Sequence, residues 1–406
     1  MNPVLQAFVT SANHAFTHED GATLGKLFVF TPSTVSELSR RISAPDDFDQ
    51  YTSYITDPVH AQTTHVYLTY VRDSQFVSAE TGHGQLCRLA ELLTVALTAA
   101  NNGWLVQVVR AVALALCVQA QWAFASTGDA AVYTQTATRL LQLLIVALGD
   151  TGPEHTSKKR VAVAVAGLLL RVSLRTSAAP GAYAGKALEA RSLLDSSSVP
   201  RRDKVSFMYW LGRYYLVCYN IDAARIQLDR AFSMCPAWHY HNKRIILRYL
   251  FVANMICGRL PSHELLEKYD MEGVYYQLVA CFRAGDLAGF QNVLVDHMDM
   301  FRKQGNFLVL LERTKMLIYR TALRRISLVD RGEERANVVQ YRDVLTAFRV
   351  SAQNPDMDVF EMEGILASLI SQKLVLAFLF HHQKLVNLSR KTPFPVISQI
   401  GKVKPR

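Results

Sequence analysis

The side chains that could do chemistry in this 406-residue chain fall into two groups. One is a set of incomplete catalytic motifs; the other is a crowd of basic residues toward the C-terminus. His263-Glu264-Leu265-Leu266-Glu267 begins like a zinc-protease helix, in which histidines four apart share one face and bind the metal. Position 267 is Glu267, so the second histidine is missing. His239-Tyr240-His241 begins like the metalloprotease motif of isopeptidases, which needs a serine and an aspartate further on; position 249 is Tyr249. Gly82-His83-Gly84 is not a phosphate loop, and Gly185-Lys186-Ala187 lacks the Walker spacing. No Gly-x-Ser-x-Gly elbow occurs. His381-His382 lacks nearby cysteines or carboxylates in sequence, so it reads as a solvated turn or one that approaches a phosphate backbone. We therefore expect no catalytic residue, no metal, no cofactor and no small-molecule substrate.

The basic residues are more informative. Lys+Arg less Asp+Glu gives −1 for residues 1–200, +2 for 201–300 and +9 for 301–406, which sum to the net charge of +10. A basic module on a near-neutral support points to a polyanion. The candidate phosphate contacts are Arg324, Arg325, Arg335, Arg342, Lys373, Lys384, Arg390 and Lys391, with Lys402, Lys404 and Arg406 in a mobile tail. Such binding is mainly electrostatic and not sequence-selective, because phosphates carry no base identity. Lys243, Arg244 and Arg248 form a second patch that either binds an acidic partner or faces water. The run Tyr209, Trp210, Tyr214, Tyr215 and Tyr219 has the makings of a stacking platform, but its spacing favours core packing.

The elements that position these residues are mostly helical. With 50% hydrophobic residues the chain is globular rather than disordered, and its length implies several subdomains or a repeat array. The first 30 residues hold Glu19 and Asp20 and no long apolar run, so neither a secretory leader nor a transit peptide is expected. Val161–Val172 and Trp104–Val118 are apolar but shorter than a membrane span, and we expect buried helices and no membrane. All six cysteines except Cys235 lie in apolar helical patterns, which predicts buried free thiols.

Residues 1–85 are the least legible, with Val4–Ala15 a candidate amphipathic helix and Pro32, Pro45 and Pro58 as breaks. Residues 86–200 read as helical repeats. Leu86, Leu89, Ala90, Leu93 and Leu97 follow the 3.6-residue period, and Asn101-Asn102-Gly103 is expected to end that helix with glycine in the left-handed conformation. Helices are predicted over Trp104–Ala125, Ala130–Leu148, Lys158–Thr176 and Ala182–Leu194. In residues 201–305, Tyr209-Trp210-Leu211-Gly212-Arg213-Tyr214-Tyr215, then Ala223-Ala224, Ala231-Phe232 and Pro236 approximate a tetratricopeptide hairpin. Further helices are predicted at Asn242–Cys257, Ser262–Tyr269, Met271–Ala284 and Leu287–Gln304. Residues 306–396 change character. Helices are predicted over Phe307–Val329, Val338–Phe348 and Val359–Gln372, with Asp330–Glu334 as a charged turn. Strands Leu374–Phe380 and Leu385–Leu388 follow, joined at His381–Lys384. Three helices and a hairpin is the order of a winged helix. The fold class is thus all-α: an α-solenoid of tetratricopeptide-like hairpins capped by a C-terminal winged helix, with residues 397–406 as a basic tail.

On these residues the chain resembles the PCI domain, found in the proteasome lid, the COP9 signalosome and an initiation factor. The resemblance narrows at Tyr214-Tyr215 through Ala224, Asn242-Lys243-Arg244 with Leu247, Tyr249 and Leu250, and Gly258-Arg259-Leu260-Pro261 with Leu265–Tyr269. His382-Gln383-Lys384-Leu385-Val386 and Lys391-Thr392-Pro393-Phe394-Pro395 complete it. Together they look like the mRNA-export PCI subfamily, whose sister branch associates with the COP9 signalosome. The likeness covers residues 200–396. It implies a non-enzymatic scaffold in the nucleus and at the nuclear pore. Its winged helix is expected to pack beside the PCI domain of a large mRNA-export scaffold subunit. A small, acidic, disordered subunit shared with the proteasome lid is expected along the repeats, and RNA or DNA on the juxtaposed winged helices. The alternative is a signalosome- or lid-like assembly without nucleic acid.

Overall fold

The computed structural model describes residues 2–42, 48–74, 77–99, 102–154, 156–176, 179–189, 193–329 and 337–397. The chain divides into two compact units, Met1–Tyr214 and Tyr215–Arg406. Most of the described residues are helical, and the only strands among them are three short ones near the C-terminus, which makes the fold an all-α solenoid ending in a small sheet.

The first unit begins with α1 (Pro3–Thr17), α2 (Gly21–Leu27), α3 (Pro32–Arg41), α4 (Phe48–Thr52) and α5 (Pro58–Asp73). Prolines at the first turns of α1, α3 and α5 suit positions whose N–H groups have no intrahelical partner. These helices close around Tyr67, which stacks on Phe8 and meets Phe28 and Phe30. Its hydroxyl donates to the carbonyl of Leu27 or Val29 and accepts from the Val29 amide. Then come α6 (Ala79–Thr98), a short 3-10 turn, α7 (Val106–Thr127), α8 (Ala131–Leu148), α9 (Lys159–Ser173), α10 (Ala179–Glu189) and the start of α11 (Arg201–Val217). Each packs on the next, and α6 on α8 and α7 on α9 as well, the arrangement of stacked hairpins. Small residues allow the close approaches: a Cβ at Gly167 would stand 3.4 Å from the Phe207 backbone. Asp203 of α11, pushed up by burial, is ion-paired to Arg110 of α7, and the Lys158 ammonium donates to the carbonyls of Leu97 and Ala99 at the end of α6. Asn102–Thr127 and Ala131–Leu148 are long and apolar enough to cross a membrane by length and composition alone. Over half of the first window, 61%, is buried inside the structure.

The second unit continues the hairpins with α12 (Ile221–Met234), α13 (Tyr240–Ile256), α14 (His263–Lys268), α15 (Glu272–Ala284), α16 (Leu287–Asp296) and α17 (Met298–Gln304). It closes with α18 (Phe307–Ser327), β1 (Val338–Gln340), α19 (Tyr341–Ala352), α20 (Val359–Ser371), β2 (Ala377–Phe380) and β3 (Leu385–Leu388). The sheet is antiparallel with order β1-β3-β2. Helix, strand, two helices and a hairpin is winged-helix topology. Asp358 caps α20 through the Glu361 amide, as expected, and Arg349 closes the α19–α20 turn by donating to the Met357 carbonyl at 2.9 and 2.7 Å.

Several expectations need correction. Val338–Gln340 is a strand, not the start of a helix: it pairs with β3 from Asn387 to Leu385, and Val339 is buried against Val386. A three-residue strand is too short to show period-two alternation. Leu287–Gln304 is two helices broken at His297, a break that accompanies burial of Phe301 against Tyr275. Gly103 is not a left-handed cap; it sits in the 3-10 turn, where a Cβ would fall 1.6 Å from the Thr156 carbonyl oxygen. Phe360, an apolar position of the third predicted helix, is 74% exposed. Of the six cysteines, all free, Cys87, Cys117, Cys235 and Cys257 are buried, Cys281 is half-buried and Cys218 is exposed. The charged turn Asp330–Glu334 and the tail 398–406 lie outside the described residues.

The backbone crowding at Gly103 gives a direct test. Gly103→Ala should destabilise the chain by at least about 1–3 kcal/mol, the cost of overpacking a close-packed site, read as a lower midpoint in urea unfolding.

Candidate nucleic-acid interface

The winged helix is assembled on one buried cation. Arg320, in the middle of α18 and 8% exposed, donates from Nε to the Leu374 carbonyl at 2.9 Å and from a terminal nitrogen to the Pro395 carbonyl at 2.7 Å. Its guanidinium lies 5.6 Å from the Phe394 ring centroid. Burial lowers its pKa, yet a guanidinium stays charged at any ordinary pH. Leu374 leads into β2, and Pro395 follows β3, so this side chain ties both ends of the wing to the long helix. The Leu376 amide donates to the Pro393 carbonyl and the Ser389 amide to the Leu376 carbonyl, which completes the clasp. Further along, Ile397 packs on Gly258 so closely that a Cβ there would lie 2.5 Å from its Cδ1. Two separate motifs of the sequence, around Gly258 and around Pro393, therefore meet. Sequence reading left Arg320 out because it sits among the basic surface residues of its own helix; only its i−3 and i+3 neighbours Leu317 and Leu323, both buried, hinted at an inward face.

The expected phosphate contacts are distributed over this frame. Lys373 follows α20, Lys384 sits in the β2–β3 turn, and Arg390 and Lys391 follow β3; all four are exposed. The β2–β3 register places Arg390 and Lys391 toward the start of β2, with Lys373, and Lys384 at its far end. The Tyr341 amide donates to the Lys384 carbonyl, which brings the neighbouring exposed Arg342 to that same end, its Nε 3.5 Å from Asp343. Arg324 and Arg325 are exposed in the last turn of α18, and Arg325 reaches the carbonyls of Arg283 and Ala284 at 3.4 and 3.3 Å. Arg335 lies outside the described residues.

The second basic patch is less free than expected. Lys243 donates to the Phe232 carbonyl at 2.9 Å and stands 4.2 Å from that ring's centroid. Arg244 donates to the Asp270 carbonyl at 2.7 Å and approaches its carboxylate at 3.6 Å. Both stitch α13 to its neighbours, while Arg248 is half-buried. The aromatic run is likewise mostly structural. Tyr214 is buried, Trp210 lies between Arg171 and Arg213, and exposed Tyr219 donates to Glu312 at 3.2 Å.

The incomplete catalytic motifs do not assemble. His83 is buried and bonded to Thr136 at 2.8 Å. Ligand atoms of His263, Glu267 and Glu272 lie within 4.8 Å of one another, all exposed, with His263 Nε2 3.6 Å from the Glu272 carboxylate. The wing turn is more structured than a solvated turn. His381 Nδ1 lies 2.7 Å from the Glu363 carboxylate of α20. That bond, with a smaller contribution from Tyr341, holds Glu363 below its ordinary value of 4.5. Glu363 is therefore a brace for the wing.

No protein-family model matches the chain. It is 32% identical over 213 residues to Enhanced ethylene response protein 5 of Arabidopsis thaliana, covering 52% of this chain and 51% of that protein. It is 34% identical over 200 residues to the PCI domain-containing protein 2 homolog of Caenorhabditis elegans, covering 49% and 46%. It is 27% identical over 265 residues to the Protein CSN12 homolog of Schizosaccharomyces pombe, covering 64% and 61%. The chain spans about half the length of most of these relatives.

The Glu363 brace sets a pH dependence. A carboxylate whose folded pKa is depressed contributes stability that is present above its unfolded value and lost as pH falls through the folded one. His381→Ala should therefore lower thermal stability at pH 6, and the deficit relative to wild type should shrink as pH falls below about 4. Melting curves from pH 3 to 7 check this, and a deficit independent of pH would contradict it. The chain is thus similar, over about half their length, to relatives named for the PCI domain, and its helical repeats end in a winged helix.

Proposed function

We propose that the chain is a non-enzymatic PCI scaffold subunit of a nuclear, transcription-coupled mRNA-export complex. Its helical repeats dock partner subunits, and its winged helix contributes a basic, sequence-nonspecific surface for RNA or DNA. The single observation that carries this reading is the placement of Lys373, Arg390 and Lys391 at one end of the wing and Lys384 and Arg342 at the other, on a module that follows tetratricopeptide-like hairpins. Exposed cations spaced along one small sheet, with Arg342 alone of the five near a carboxylate among the described residues, fit a polyphosphate better than a folded acidic protein, because they gain from counterion release wherever phosphates pass.

The expected partners follow from the resemblance: a large PCI-containing mRNA-export scaffold subunit beside the winged helix, and a small acidic disordered subunit along the repeats. Lys243 and Arg244 are engaged within the unit, so the acidic subunit would have to displace those bonds or use Arg248 and other residues. Residence in the nucleus, including the pore, belongs to the same proposal. A second reading, a signalosome- or lid-like scaffold without nucleic acid, draws on the likeness to a protein named as a CSN12 homolog and on the edge strands β1 and β2, which are open to pairing among the described residues.

A titration separates the two. The intact chain and a variant with Arg324, Arg325, Lys384, Arg390 and Lys391 changed to glutamate are titrated with nucleic acid at 50 and 200 mM salt (about 50 and 200 mM spans the useful range), alone and with co-purified proteins. Binding that weakens steeply with salt and disappears in the variant supports the export scaffold. Absence of binding in every state moves the assignment to the second reading.

A further inference from the structure

Among the described residues, the outer face of the wing sheet is only partly covered and carries two exposed aromatic rings. Direct cross-strand neighbours share a face, and the register gives this face two rows. One row is Val338, Asn387 and Phe378; the other is Gln340, Leu385 and Phe380. The opposite face carries Val339, Val386 and Leu388, all buried in the winged-helix core. Phe378 is 75% exposed and Phe380 41% exposed. Two positions apart on one strand, the rings stand about 6.6 Å apart along the chain, side by side on an edge strand. Exposed phenylalanines on an edge strand are a liability for aggregation, so their presence asks for an occupant.

The flanks say which. Lys373 and Lys384, which bracket β2, both hold left-handed backbone, with φ of 58° and 50°. That conformation is strained for an L-residue and is the usual place for glycine. Strain of this kind concentrates at functional sites. Neither ammonium has a side-chain partner among the described residues. An aromatic strip with a cation at each end is complementary to a chain that alternates planar rings with phosphates.

We propose that the outer face of the wing sheet is a stacking platform for single-stranded nucleic acid. Phe378 and Phe380 stack on unpaired bases, and Lys373 and Lys384 contact the phosphates on either side. This rests on the nucleic-acid reading above and deepens it, because phosphate contacts alone do not distinguish single strands from duplexes. Every base has a π-face, so the platform is indifferent to sequence. Asn387, beside Phe378 on the neighbouring strand, and Gln340, on β1 across Leu385 from Phe380, offer hydrogen bonds to base edges.

The test uses fluorescence anisotropy with a labelled 20-nucleotide oligouridylate and a 20-base-pair duplex, on the full chain alone and with its co-purified proteins. Phe378→Ala/Phe380→Ala should weaken single-strand binding by more than the roughly 5- to 150-fold expected for the loss of a single stacked base, while duplex binding and its salt slope stay unchanged. Lys373→Gly/Lys384→Gly should weaken binding to both probes and at the same time raise the melting temperature, because glycine relieves the backbone strain. A merely structural role for these lysines predicts no loss of binding. If the aromatic variant binds the single strand as well as wild type while the glycine variant loses both probes, the platform is refuted and the basic surface stands. If the aromatic variant keeps nucleic acid but loses a co-purified protein, the face is a protein interface and the proposal is wrong. If wild type binds neither probe in either state, the platform and the nucleic-acid reading fall together.

Discussion

The winged helix depends on the two hydrogen bonds of Arg320. A small sheet of three- and four-residue strands cannot hold its own position, since isolated hairpins are marginal in water. Here one guanidinium, planar and always charged, reaches two backbone carbonyls from opposite ends of the wing. Each is a bond to a charged donor, worth about 1.5–3 kcal/mol, and each carbonyl would otherwise be left with a lost partner. Lysine is a poor substitute, because a point charge cannot present a fork. The wing's orientation relative to α18, and therefore where its surface side chains stand, follows from this contact.

Much of the architecture is legible in the sequence. The long helices announce themselves by period: α8 runs over Ala131–Leu148 against an expectation of Ala130–Leu148, and β3 over Leu385–Leu388 as expected. What was not legible shares one cause, that the deciding contact is distant in sequence. β1 exists because Asn387 to Leu385 offer it a ladder, not because Val338–Gln340 has a pattern of its own. Gly103 is fixed by the Thr156 backbone, not by a helix end. In residues 2–74 the organiser is Tyr67, which gathers Phe8, Phe28 and Phe30, a cluster no periodicity reveals.

The candidate site shows the same division. Composition located the basic module, and the structure sorted its members. Arg320 turned out to be internal, Lys243 and Arg244 are engaged with carbonyls, and Lys373, Lys384, Arg390 and Lys391 project around one sheet. The exposed face of that sheet was not legible, since a predicted strand over Leu374–Phe380 leaves the faces of Phe378 and Phe380 unassigned until the register fixes them. Side chains that break the inside-outside expectation are informative for that reason.

The account therefore centres on the wing between Lys373 and Lys391. Photo-crosslinking of a 4-thiouridine oligonucleotide to the full chain with its co-purified proteins, followed by peptide mapping by mass spectrometry, examines that claim without any substitution. The account predicts crosslinks concentrated in residues 373–391. Crosslinks confined to residues 2–214, or none on this chain while a partner is labelled, would contradict it.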